Sequence, residues 1–155
     1  MRNVLVLIPA GTEPQRAIRA AIALAKEKGE RLVAVVVITP EVASRVTSAL
    51  SDVGFVGEHV GNQVLETIRH EYRTRSEALL RSVAEQAQQE GVAVTPLIEE
   101  GDTGEICARV IHTHQIGTAV LVAERQSWLT RFLSRSAAVR LPALSGCEVR
   151  VMEED

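Results

Sequence analysis

The stretch Asn3–Ile38 reads NVLVLIPAGTEPQRAIRAAIALAKEKGERLVAVVVI, and it decides the fold. Its first run, Asn3-Val-Leu-Val-Leu-Ile8, is apolar without alternation and stops at Pro9-Ala-Gly-Thr12. A short apolar run bounded by turn residues marks a strand buried on both faces, as in a parallel sheet. From Glu13 to Lys28 the period changes. Ile18, Ala21, Ile22 and Ala25 keep one helical face, and Gly29 ends it. Arg31-Leu-Val-Ala-Val-Val-Val-Ile38 is a second run of the first kind. The unit is therefore β-α-β.

The same alternation continues outward. Glu41–Leu50 has the pattern of a helix, and Ser51–Gly61 reads as a loop with glycines at 54, 57 and 61. A long helix is expected from about Asn62 to Gln89, with the stripe Leu65, Ile68, Tyr72, Leu79, Val83 and Ala87, stopped by Gly91. Val92–Ile98 is a third strand, and Pro96 inside it places it at a sheet edge. Asp102 is a good N-cap, with Glu105 completing a variant capping box. The helix that follows carries Ile106, Cys107, Val110, Ile111 and His114 on one stripe, with Gly117 as its stop. Thr118–Val122 is a fourth strand. A helix over about Trp128–Leu141 ends before Pro142, and Cys147–Met152 is a fifth strand whose alternation leaves one face more exposed.

Five strands alternating with helices predict an α/β doubly wound parallel sheet, strand order 3-2-1-4-5, with helices on both faces. One domain over 1–155 is expected, since 155 residues bury a sizeable core without a linker or repeat. Ligands of such sheets bind outside the carboxyl ends of the strands, at the switch in strand order. Pro9–Thr12, Ile38–Pro40 and Val122–Arg125 are the positions to inspect.

Composition narrows the function. A net charge of −3 lacks the basic excess of a nucleic-acid binder. No apolar run approaches the ~20 residues that span a bilayer, and the N-terminus is too quickly polar for a signal peptide; a cytoplasmic protein is expected. Cys107 and Cys147 have no metal-ligand spacing and read as reduced, buried thiols. His112 and His114 are two apart, so a helix points them to different faces; His59 and His70 read as surface histidines. No nucleophile elbow, Walker sequence or dinucleotide fingerprint is present. Trp128, the only tryptophan, reads as a core or interface anchor.

The order and spacing of these parts resemble the universal stress protein family over essentially the whole chain. The opening β-α-β stretch, the segment GVAVTPLIEEGDTGEICARVIHTHQIGTAVLVAE and the ending GCEVRVM carry the likeness. ATP-binding members of that family resemble one another in an Asp at the end of the first strand and a glycine-rich motif after the fourth. Glycines let the backbone approach phosphates, and free N–H groups at the next helix start donate to them.

This chain departs at both places. Ala10 stands where the Asp would be. In VAERQSWLTRFLSRS (122–136) the glycine positions fall near Val122, Arg125 and Arg135, and only Ser136 matches the hydroxyl after the last glycine. Glu124 adds like-charge repulsion toward a phosphate. The Ser-Trp-Leu segment resembles a family variant associated with members that do not bind nucleotide and with stress-protein domains attached to sensor kinases.

Two functions follow. The first is a non-catalytic stress-response or regulatory module without a cofactor, acting by homodimerisation through the last strand (Cys147, Val149, Val151) and by binding a protein partner, with no nucleic acid and no membrane. The alternative is a divergent adenine-nucleotide binder with weak or no ATPase activity. It would hold ATP or AMP through Pro9, Ala10, Gly11, Thr12, Arg125, Arg135 and Ser136. The same residues are a vestigial nucleotide or anion site under the first reading, where Arg125, Arg131 and Arg135 are solvated helix residues or an anion patch.

Overall fold

The three central strands of the sheet place their odd and even residues in different cores. This holds in a computed structural model that describes residues 2–40, 58–123 and 146–153. The element order is β1 (Asn3–Pro9), α1 (Gln15–Lys28), β2 (Leu32–Ile38), α2 (Glu58–Gln89), β3 (Val94–Glu100), α3 (Thr103–Thr113), β4 (Ile116–Ala123) and β5 (Glu148–Glu153). The sheet is five-stranded and parallel, in the order β3-β2-β1-β4-β5.

Val4, Val6 and Ile8 of β1 join Leu32, Ala34 and Val36 of β2 and Val120 and Val122 of β4 in one core. That core is roofed by α1 through Ala17, Ile18, Ala21, Ile22 and Ala25, and by α2 through Leu80, Val83 and Ala87. Leu5 and Leu7, with Val33, Val35 and Val37 and with Ala119 and Leu121, form the second core under Ile106, Cys107, Val110 and Ile111 of α3. Helices thus lie on both faces. The period-two alternation is invisible in the sequence because both faces are apolar.

Capping follows the sequence closely. Gly29 (φ 64) closes α1, with the Glu30 N–H bonding back to the Ala25 carbonyl at 2.9 Å. The Asp102 carboxylate accepts from the Glu105 N–H at 2.9 Å and starts α3. Pro96 sits in β3 at the sheet edge, opposite Ala34, where its missing N–H is tolerated.

Three boundaries differ from expectation. Helix α2 starts at Glu58, so residues 58–61 are helical rather than loop; Gly61 is carried inside a helix long enough to absorb its cost. Strand β3 is Val94–Glu100, two residues later than Val92–Ile98. Gly117 is not a helix stop. The chain leaves α3 after Thr113 with the His114 N–H on the Val110 carbonyl (2.9 Å), turns at Gln115 (φ 52), and enters β4. Gly117 lies in β4 beneath Arg2, where an added Cβ would meet Arg2 Cδ at 2.8 Å. The helices expected over 41–50 and 128–141, and the loop over 51–57, lie outside the described residues.

The core and the surface should respond very differently to truncation. Ile18 is fully buried between α1 and the sheet, and Ile18→Ala should cost about 2–5 kcal/mol in urea unfolding. Lys26 and Glu90 pair at 2.6 Å but are both more than 40 % exposed, and Lys26→Ala should cost less than about 1 kcal/mol.

Candidate functional site

The carboxyl ends of β1 and β4 meet at the switch in strand order, which is where the fold presents ligands. At β1 the chain turns through Pro9-Ala10-Gly11-Thr12. The Ala10 N–H donates to the Val37 carbonyl of β2 at 2.9 Å. The Pro9 carbonyl accepts twice from Thr12, from its N–H at 3.2 Å and from its hydroxyl at 2.7 Å. The turn is therefore closed on itself: its one hydroxyl donates inward, and Ala10, at the position of the family's Asp, packs on the core.

Gly11 has φ 84, a conformation that favours glycine. It also has a neighbour that the linear sequence does not reveal. A Cβ on Gly11 would lie 3.0 Å from Tyr72 Cε1 and 3.8 Å from Tyr72 Oη. The length of α2 brings that ring there. Its 32 residues span ~48 Å at 1.5 Å per residue, whereas a seven-residue strand such as β1 spans ~23 Å. The end of α2 leads into the start of β3, so its amino-terminal part projects past the carboxyl edge of the sheet. Ser76, Leu80, Val83 and Ala87 are buried against the sheet and α1, while Tyr72, Ile68 and Leu65 continue the same stripe upward and are half-buried.

Beside this turn, the Gly101 N–H donates to the Ile38 carbonyl at 3.1 Å and leads into the capped start of α3. Asp102 is exposed and engaged as the cap. Of the residues singled out from sequence, Pro9, Ala10, Gly11 and Thr12 form one turn. Arg125, Arg135 and Ser136 lie outside the described residues, as do Glu124, Trp128 and Arg131. Tyr72 was visible only as a member of an apolar stripe; its place at the site needed the third dimension.

His70 is exposed on α2, and His112 is exposed near the end of α3. The His114 carbonyl accepts from the Asn3 amide at 2.7 Å, at the amino end of the sheet. Among the described residues no three His, Cys, Asp or Glu side chains gather as metal ligands, and no helix is long and apolar enough to cross a membrane. Cys107 is buried in the second core and Cys147 packs against its rim. Burial, with the charge of Cys147 adding, pushes the Cys107 thiol from 9.0 up to about 12. Burial also raises Cys147, against the lowering effect of a backbone hydrogen bond to Ala119 and of Arg2.

The family model described as the universal stress protein family matches residues 1–152. No curated protein sequence matches the chain significantly. Among solved structures, the chain is similar to the universal stress protein UspA from Lactobacillus plantarum, at 16 % identity and a TM-score of 0.64 over 98 % of this chain and 99 % of that one. It is similar to a universal stress protein family member from Burkholderia pseudomallei at 20 % identity and a TM-score of 0.55, over 96 % and 94 %. A universal stress protein family protein from Arabidopsis thaliana, described with AMP bound, matches at 12 % identity and a TM-score of 0.56, over 100 % and 93 %. At these identities the structural likeness establishes the fold.

The two thiols should differ in reactivity. At mildly alkaline pH, Ellman's reagent should titrate Cys147 readily in the folded protein and reach Cys107 only after denaturant is added. Between 9.0 and about 12 the unfolded chain gives up a Cys107 proton that the folded chain retains, so this group's contribution to stability is lost as pH rises through that window. Cys107→Ala should show a shallower alkaline decline.

Proposed function

Since the chain belongs to the universal stress protein family, we propose that it serves the family's stress response as a non-catalytic regulatory module. In this reading it does not bind ATP, and it acts by dimerising and engaging a protein partner. The observation that carries this reading is the carboxyl end of β1. Its turn is hydrogen-bonded to itself, its Asp position is an apolar Ala10, and a tyrosine ring rests on its glycine. A ligand phosphate needs free backbone donors and room for close approach. The turn's Ala10 and Thr12 N–H groups are both engaged.

The dimer surface is assigned to β5. It is the terminal strand next to β4, and it exposes Val149 (36 %) and Val151 (46 %) where Ala119 and Leu121 of β4, their register partners, are buried. Two exposed β-branched residues on a strand whose outer edge has no partner among the described residues suit pairing with a second copy about a two-fold axis. Cys147 precedes the strand and packs on the second core, so it would anchor the start of β5 while the valines meet the partner.

The second reading is an adenine-nucleotide binder with weak or no ATPase activity. It is favoured by the structural neighbour described with AMP bound and by another universal stress protein described in complex with cAMP. Under this reading Arg125 and Ser136 would hold the phosphates, and Arg125→Ala with Ser136→Ala would weaken binding.

Calorimetry with Mg·ATP and AMP, together with light scattering, separates the two. The expected results are no saturable heat and a dimer at micromolar concentration. Val149→Asp with Val151→Asp should shift that dimer to monomer, with far-UV circular dichroism unchanged. Excess absorbance at 260 nm in freshly purified protein, or tight ATP binding by a monomer, would overturn the first reading.

A further inference from the structure

The turn after β1 accounts for its own glycine without a ligand. Gly11 has a positive φ of 84, which strains any larger residue, and a Cβ there would meet the Tyr72 ring at 3.0 Å, so the ring would have to shift to admit one. A glycine next to a threonine at the end of the first strand has the look of a remnant phosphate loop. Here the glycine makes room for an aromatic edge, and the threonine hydroxyl closes the turn on Pro9.

The position of the ring matters more than its presence. Tyr72 lies one helical turn above Ser76, the buried residue nearest the amino end of α2 among those described, so it is among the first side chains on that stripe to reach the carboxyl edge of the sheet. It meets the chain two residues past Pro9. Ile68 and Leu65, four and seven residues earlier, extend the same half-buried apolar stripe. Whatever approaches the end of β1 from the α2 side meets aromatic and aliphatic surface where a nucleotide needs polar backbone.

We infer that Tyr72 is the residue that sets specificity at this crevice: its ring takes the volume over Gly11 that an adenine nucleotide would enter. This rests on the reading that the protein does not bind ATP, and it names the group responsible. Displacing the ring would return its apolar surface to water and open a gap against Gly11, so a nucleotide must compete with packing already in place. Removing the ring by mutation abolishes that competition. The phenolic hydroxyl is not required, because the nearest contact with the glycine is the ring carbon Cε1.

The test measures Mg·ATP and AMP binding by calorimetry in the wild type, Tyr72→Phe and Tyr72→Ala, with thermal unfolding of each. Wild type and Tyr72→Phe should show no saturable binding, and Tyr72→Ala should gain at least tenfold in affinity over them. If alanine unfolds the chain, Tyr72→Val keeps an apolar side chain on the stripe without the ring and is used in the same way. A double-mutant cycle adds a readout free of ligand. Gly11→Ala should lower Tm more in the wild type than in the Tyr72→Ala background, where only the φ cost remains. A folded, ringless variant that binds no better than a non-binding wild type overturns the inference and leaves the proposed function standing. Absence of coupling in the cycle also overturns it. ATP binding by the wild type that weakens in Tyr72→Ala would make the ring a ligand platform and overturn both.

Discussion

The structure depends on one constraint: β1 has no solvent face. Val4 to Ile8 are buried, with β2 on one side and β4 on the other. A strand in that position must satisfy its backbone through two ladders and its side chains through two cores. The helices are placed by that demand. α1 and α2 cover the face of Val4, Val6 and Ile8, and α3 covers the face of Leu5 and Leu7. The strand order reverses beside β1, where β4 covers the edge that β2 leaves open.

That reversal creates the crevice at the carboxyl ends of β1 and β4. The fold supplies the location; the residues decide the use. At the end of β1 the Thr12 hydroxyl is committed to the Pro9 carbonyl, and the Tyr72 ring lies beside Gly11. The Thr12 hydroxyl and N–H both bond back to Pro9, while Gly11 itself is exposed. The contrast with β5 is informative. There the side chains of Val149 and Val151 remain uncovered, although their neighbours in β4 are buried.

Most of this fold can be read from residues, since local rules and tertiary demands agree. Apolar runs bounded by Pro, Gly and Asp gave the strands, and Asp102 capped the helix its spacing assigned it. The errors have physical causes. Glu58–Gly61 ends in a glycine that lowers helix propensity, yet it forms the first turn of a 32-residue helix. Gly117 has the look of a helix stop, but Gln115 takes the left-handed conformation instead, and the glycine serves the close passage of Arg2. The site was legible only in part. Ala10 declared the missing carboxylate by position alone. Tyr72 did not declare itself, because it lies 61 positions from Gly11 and its distance from the turn is set by how far α2 overruns the sheet.

The two edges of the sheet are chemically unequal. On one, β3 carries Pro96, which offers no donor, followed by Glu99 and Glu100. On the other, β5 carries Val149 and Val151 and has no proline. A sheet with two open edges can add copies without end, as fibres do. Here one edge is blunted, so a copy joined at β5 leaves only β3 edges facing outward. Any sheet extended at β5 would therefore end on edges that carry Pro96 and resist further addition.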